Sequence, residues 1–131
     1  MKVLDSDTCI AILRGRQDVI ARRAAEVDDV ATTWVTASEL FFGAAKSTKP
    51  DLNAALVVRF LGTLPVLAPD LASARLFGEV KARLSSQGQI VADADLFIGS
   101  MALSRGATIV TGNRRHYDRI PGLVVEDWLR G

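Results

Sequence analysis

Short β-branched runs alternate with longer helical segments along this chain, and that alternation restricts the fold more than any other feature. Lys2 to Asp5 reads as a strand ending on an acid, followed by helical Thr8 to Leu13 and an alanine-rich helix over Val19 to Glu26. Val30 to Trp34 reads as a second strand, and a helix runs from Thr36 to Ala45, stopped by Lys49-Pro50. Asp51 is expected to cap a helix over Leu52 to Leu64, before a brief apolar strand at Pro65 to Ala68. Asp70 caps the next helix, Leu71 to Ser85, with Ala74, Phe77, Val80 and Leu84 at helical spacing and Gly88 just past its end. Ala94 to Arg105 is helical and closed by Gly106; Thr108 to Thr111 and Leu123 to Val125 are strands, and Trp128 packs near the chain end. Strands alternating with helices predict a parallel sheet covered on both faces. The right-handed crossover rule then prunes the topologies, and ligands are expected outside the carboxyl ends of the strands.

Composition bounds the rest. With 131 residues, 49% hydrophobic and 24% charged, the chain is expected to form one globular domain over 1–131. No run approaches the ~20 apolar residues that cross a bilayer. Asp5 and Asp7 stand where a signal peptide would be apolar, so a soluble cytoplasmic protein is expected. The single cysteine, Cys9, excludes an internal disulfide framework and a cysteine zinc site, and its apolar run makes it core. A net charge of +1 does not announce a nucleic-acid binder. Of the 16 basic residues only Lys2, Lys46, Lys49 and Lys81 are lysine. The arginine bias suits phosphate and carboxylate, and equally reflects an arginine-rich genome.

The carboxyl-edge rule selects Asp5 at the end of the first strand, Glu39 one turn into the helix after the second, Asp93 and Asp95 at a helix start, and Asn113 after the Thr108–Thr111 strand. Two unit charges about 4 Å apart repel by roughly 4 kcal/mol at an effective dielectric near 20. Grouped carboxylates therefore need protonation or a cation. Oxygen ligands favour Mg²⁺ or Mn²⁺ over zinc, and such an ion implies phosphodiester hydrolysis. Each residue also has a plainer role. Asp5 or Asp7 serves equally as a helix N-cap, as does Asp93. His116 reads as a surface histidine more readily than as a catalytic base, and Arg114 and Arg115 either grip a phosphate backbone or are ordinary exposed arginines. Glu39, beside Leu40, Phe41 and Phe42, is the acid hardest to assign to a solvated face.

Across nearly its whole length the chain resembles the PIN-domain ribonucleases of the VapC family, from type II toxin–antitoxin systems. The resemblance is carried by Val3-Leu4-Asp5-Ser6-Asp7-Thr8, by Ser38-Glu39-Leu40 with Gly43, and by Gly88 and Ile90 through Ile98. Gly106 to Asn113, then Tyr117, Ile120-Pro121-Gly122-Leu123 and Trp128, complete it. It implies a three-layer α/β/α sandwich around a parallel sheet and an Mg²⁺- or Mn²⁺-dependent endoribonuclease acting on RNA. By position it implies Asp5, Glu39 and Asp95 as acidic metal-site residues, Asn113 as a fourth polar catalytic residue, Ser6 as a neighbouring hydroxyl and Thr111 as a supporting group. It also implies a VapB-like antitoxin as partner. The helix Leu52 to Leu64, apolar on nearly all sides, is either core or a surface for that antitoxin or a second copy of the chain. Three departures stand out: Asp7 where Asn is common, His116 where many members have Asp, and a neutral Asn113. Asp7 or Asp93 would restore the missing charge. A haloacid-dehalogenase-type phosphatase is a rival, although Asp5-Ser6-Asp7-Thr8-Cys9 is one residue short of its Asp-x-Asp-x-Thr. A response-regulator receiver needs a late loop lysine, whereas the last lysine here, Lys81, lies in a helix. A catalytically inactive PIN-like binding protein is the third alternative.

Overall fold

The computed structural model describes residues 1–130. In chain order its elements are β1 (Lys2–Leu4), α1 (Ser6–Leu13), α2 (Gln17–Ala25), β2 (Val30–Thr33), α3 (Trp34–Ala45) and α4 (Pro50–Leu61). Then follow β3 (Val66–Leu67), α5 (Leu71–Ser86), α6 (Asp93–Ser104), β4 (Thr108–Val110), α7 (Arg114–Tyr117) and β5 (Val124–Glu126). The five strands form one sheet in the order β3-β2-β1-β4-β5, and every pairing is parallel. Strand β1 is therefore central, and the chain builds outward first to one side and then to the other. The direction of building reverses between β1 and β4, which is where a parallel sheet opens a crevice at its carboxyl edge.

Alternation along the strands divides the core. Val3 and Ile109 join Val80, Leu84, Leu96, Ile98 and Tyr117 on the α5–α6 face. Their neighbours Leu4 and Val110 join Cys9, Val19, Leu40, Val57 and Phe60 on the α1–α4 face. A period of two on a sheet covered on both sides produces this split, so the expected three-layer α/β/α arrangement is present. Cys9 is fully buried, and burial pushes its thiol up to about 12, so it is an inert core residue. Trp128 is buried as expected.

Local chemistry sets the helix boundaries. Asp70 and Ser73 form a reciprocal capping box at the start of α5. Gly88 and Gly106 both take left-handed backbone after helix ends, at φ 68° and 62°. Two expectations need correction. Asp51 does not cap α4: the N-cap is Lys49, and Pro50 opens the helix because its missing N–H has no partner to lose there. Asp93 does not cap α6 either: Ala92 holds that position and Asp93 is the first helical residue. The four-residue α7 is an element the sequence pattern does not predict. The apolar α4 is only half buried, with Val57 and Phe60 inside and Leu52, Leu56 and Val58 exposed.

Among the described residues two buried side-chain polar atoms make no hydrogen bond, Glu26 Oε1 and the Ser100 hydroxyl in α6; Glu26 Oε1 still has Lys2 and Arg22 within ion-pair distance, whereas Ser100 has no such neighbour. An unmade buried hydrogen bond costs about 1–3 kcal/mol. Ser100→Ala is therefore expected to stabilise the protein by about 1 kcal/mol, read as a rise in the urea midpoint with an unchanged slope. A loss of stability would mean that the hydroxyl is satisfied in solution.

Candidate active site

Asp5 leaves β1 at the crevice and doubles as the N-cap of α1, so the structural and the chemical readings of this residue coexist. Its Oδ1 accepts from the Ser6 amide at 2.8 Å and its Oδ2 from the Thr111 hydroxyl at 2.8 Å. The side chain is almost wholly buried. Burial, aided by the charges of Asp7 and Asp95 and opposed by those two hydrogen bonds, pushes its carboxyl up to about 6.

Glu39 lies on the first half of α3, a helix started by the Thr33 side chain accepting from the Thr36 amide at 3.2 Å. The Ser6 hydroxyl donates to Glu39 Oε1 at 2.6 Å, which ties the second acid to the residue beside the first. Asp95, in the first turn of α6, is held from α7. His116 Nδ1 stands 2.9 Å from Asp95 Oδ2, and the Tyr117 hydroxyl donates weakly to Oδ1 at 3.4 Å. Burial first, and then the charges of Asp5 and Asp95, push the Tyr117 phenol well above its ordinary value, so it stays protonated and can only donate to the acid.

The remaining sequence candidates separate. Asn113 follows Thr111 at the crevice, its amide donating to Thr111 Oγ1 at 3.0 Å, but it is exposed and its side chain makes no cap for α7. Asp93 points out to Lys81, 2.9 Å away, and does not restore charge to the site. Asp7 accepts from the Gly112 amide at 2.8 Å. His116 is half exposed, as a surface histidine would be, but it is not idle: it contacts Asp95. Arg114 turns away to Asp118 and the Val125 carbonyl. Arg115 and Arg119 line a cavity of about 290 Å³ together with His116, Asp95 and Ile90. Ser6, which the resemblance implies as a hydroxyl beside Asp5, reaches Glu39 as well, a link the sequence does not reveal. Sequence reasoning missed the contact between His116 and Asp95.

Among the described residues, no three Asp, Glu, His or Cys side chains stand close enough to enclose an ion by themselves. Hydroxyl groups space the acids instead, Ser6 between Asp5 and Glu39 and Tyr117 at Asp95. The basic contact to this trio is His116 at Asp95; among the described residues no lysine or arginine pairs with Asp5 or Glu39. The result is an acid-lined crevice with a strongly buried carboxylate and no fixed countercharge. That donor set suits a hard divalent cation that keeps several waters and takes only one or two carboxylates directly.

The PIN domain model matches residues 2–123. The chain is 36% identical over 127 residues to the tRNA(fMet)-specific endonuclease VapC of Salmonella typhimurium, covering 96% of each. It is 31% identical over 128 residues to ribonuclease VapC2 of Haemophilus influenzae, covering 97% of each. Among solved structures, the DNA-bound VapBC complex of Salmonella typhimurium contains a chain with TM-score 0.91 at 35% identity, with 97% of each chain covered. VapBC2 of Rickettsia felis, bound to a promoter DNA fragment, contains one with TM-score 0.90 at 27% identity, covering 97% of this chain and 98% of that one.

Proposed function

The chain belongs to the PIN-domain family, among the VapC ribonucleases of toxin–antitoxin systems, and from that membership we propose that Asp5, Glu39 and Asp95 are its metal-site residues and Asn113 their polar neighbour. PIN-domain nucleases are metal-dependent as a class. The proposed ion is Mg²⁺, with Mn²⁺ as a substitute, and residues 1–131 are taken as one nuclease domain. The observation that carries this reading is Asp5: a carboxylate buried between β1 and β4, without a basic partner among the described residues. When bound, a divalent ion supplies polarisation of the scissile phosphate and acidification of an attacking water.

The chain's own residues do the holding. Thr111 and the Ser6 amide fix both oxygens of Asp5, so its carboxylate cannot swing away from the crevice. Ser6 fixes Glu39, and the α7 pair His116 and Tyr117 fixes Asp95. Arg115 and Arg119, beside Asp95, suit the phosphodiester backbone of RNA. The substrate proposed is RNA, and initiator transfer RNA, named for the Salmonella relative, is the first to test.

A VapB-like antitoxin is the proposed partner. A groove of about 590 Å³ runs along α1, α3 and α4, lined by Ile10, Leu13, Leu40, Phe42 and Leu56 together with Ser6 and Glu39. An apolar antitoxin segment seated there would reach the acids. Exposed Trp34, Leu52 and Val58 supply further apolar surface for a homodimer. Among the described residues no helix is long and apolar enough to cross a membrane, and the cytoplasm is the proposed compartment.

Purified protein is expected to cut transfer RNA or total RNA with Mg²⁺, and EDTA to stop it. Asp95→Ala is expected to lower the rate about a hundredfold or more, since metal polarisation contributes several kcal/mol. Cleavage that survives EDTA, or an Asp95→Ala protein as active as the parent, overturns the assignment.

A further inference from the structure

Gly112 sits between Thr111, which holds Asp5, and Asn113, and its peptide is gripped from both sides. Its N–H donates to Asp7 Oδ2 at 2.8 Å, and its carbonyl accepts from Arg130 Nη1 at 2.8 Å. Arg130 is in turn anchored by Asp127 Oδ2 at 2.9 Å, and Asp127 Oδ1 accepts from the Leu129 amide at 2.7 Å. A Cβ on Gly112 would lie 2.7 Å from Leu129 Cδ1 and 3.0 Å from both Arg130 Nη1 and Asp7 Oδ2, so the peptide is enclosed. The Thr8 hydroxyl lies 3.3 Å from both the other Asp7 oxygen and the Val110 carbonyl, a long contact shared between the two.

We propose that Asp7 is a positioning residue rather than a metal ligand: with Arg130 it clamps the Gly112 peptide and thereby sets Thr111 against Asp5. The argument follows from what each partner requires. Thr111 Oγ1 donates to Asp5 Oδ2 and accepts from the Asn113 amide, so the loop conformation decides where the Asp5 carboxylate points. Asp7 Oδ2 is engaged by the Gly112 amide, and that acceptor contact is all the clamp requires of it. An acceptor at this place needs no charge; an amide oxygen does the same work. A carboxylate that ligated the ion would add its charge to the ion's affinity, so its loss in Asp7→Asn would also raise the Mg²⁺ concentration needed for half-maximal activity.

Asp7→Ala, Asp7→Asn and Arg130→Ala separate these roles. In metal-free ¹⁵N-labelled protein, hydrogen exchange at the Gly112 amide is expected to quicken about tenfold or more in Asp7→Ala and to stay within about threefold of the parent in Asp7→Asn. On a labelled RNA stem-loop carrying a mapped cleavage site, Asp7→Ala is expected to lower kcat about 10- to 100-fold with KM little changed, the size usual for a group that orients a ligand. Asp7→Asn is expected to recover most of that loss. Arg130→Ala, which opens the clamp from the other side, is expected to lower kcat with an unchanged Mg²⁺ dependence. An Asp7→Asn protein as inactive as Asp7→Ala, or a Gly112 amide indifferent to Asp7→Ala, overturns the proposal. The kinetic arm rests on the nuclease reading. A parent protein that cuts no RNA would remove that reading, while the exchange measurement would still decide the clamp.

Discussion

Asp5→Asn is expected to abolish RNA cleavage and, at neutral pH, to make the metal-free protein more stable. The carboxyl titrates near 3.8 when unhindered and is pushed up to about 6 in the fold, chiefly by burial. Between those values the folded state holds a proton that the unfolded state has released. Stability therefore falls as pH rises from about 4 through 6, the reverse of a salt-bridged aspartate, and stays low above that window. The cost of the ionised form is roughly 1–3 kcal/mol at pH 8. Asparagine keeps an acceptor for the Ser6 amide and removes the charge. Urea unfolding of the two proteins should converge at pH 4 and separate at pH 8, with the variant the more stable. Added Mg²⁺ should raise the unfolding temperature of the parent and leave the variant unmoved, because an ion bound only by the folded state stabilises it by mass action. A variant less stable than the parent at pH 8 would mean that Asp5 is favourably solvated.

Tyr117→Ala is the second large effect. The ring is fully buried on the α5–α6 face among Leu96, Ile98 and Ile120, and it forms a wall beside Asp95. Truncating a buried aromatic to alanine typically costs about 3–5 kcal/mol. Tyr117→Phe removes only the hydroxyl, whose 3.4 Å contact with Asp95 Oδ1 is long, and should cost about 1 kcal/mol or less. Equilibrium denaturation measures both. Comparable losses in the two variants would show that the hydroxyl, not the ring, anchors α7.

These two residues also mark the boundary of what the sequence makes legible. Alternation of element types yields the parallel sheet, and a strand ending on Asp5 is visible because chain order and the carboxyl-edge rule suffice. Asp93 and Asp95 are harder. Two residues apart on a helix they diverge by about 200°, so one faces the crevice and the other Lys81, and only the packing of α6 on α5 decides which. Four residues are too few for a periodicity, so α7 is invisible, and with it the contact of His116 with Asp95. Asp51 misled because an acid after Pro50 mimics a cap, while proline at the first helical position already explains the helix start. Gly112 carries no local signal, since the residue it meets, Asp7, is 105 positions away.

The central place of β1 has a further consequence. Its flank stays open until β4 pairs with it, and Asp5 meets its hydroxyl partner only 106 residues downstream. Closing so long a loop is slow. A nascent polypeptide still short of Thr111 thus carries the first acids but no finished cleft. Competence arrives near the completion of synthesis, so a half-made chain carries no working site.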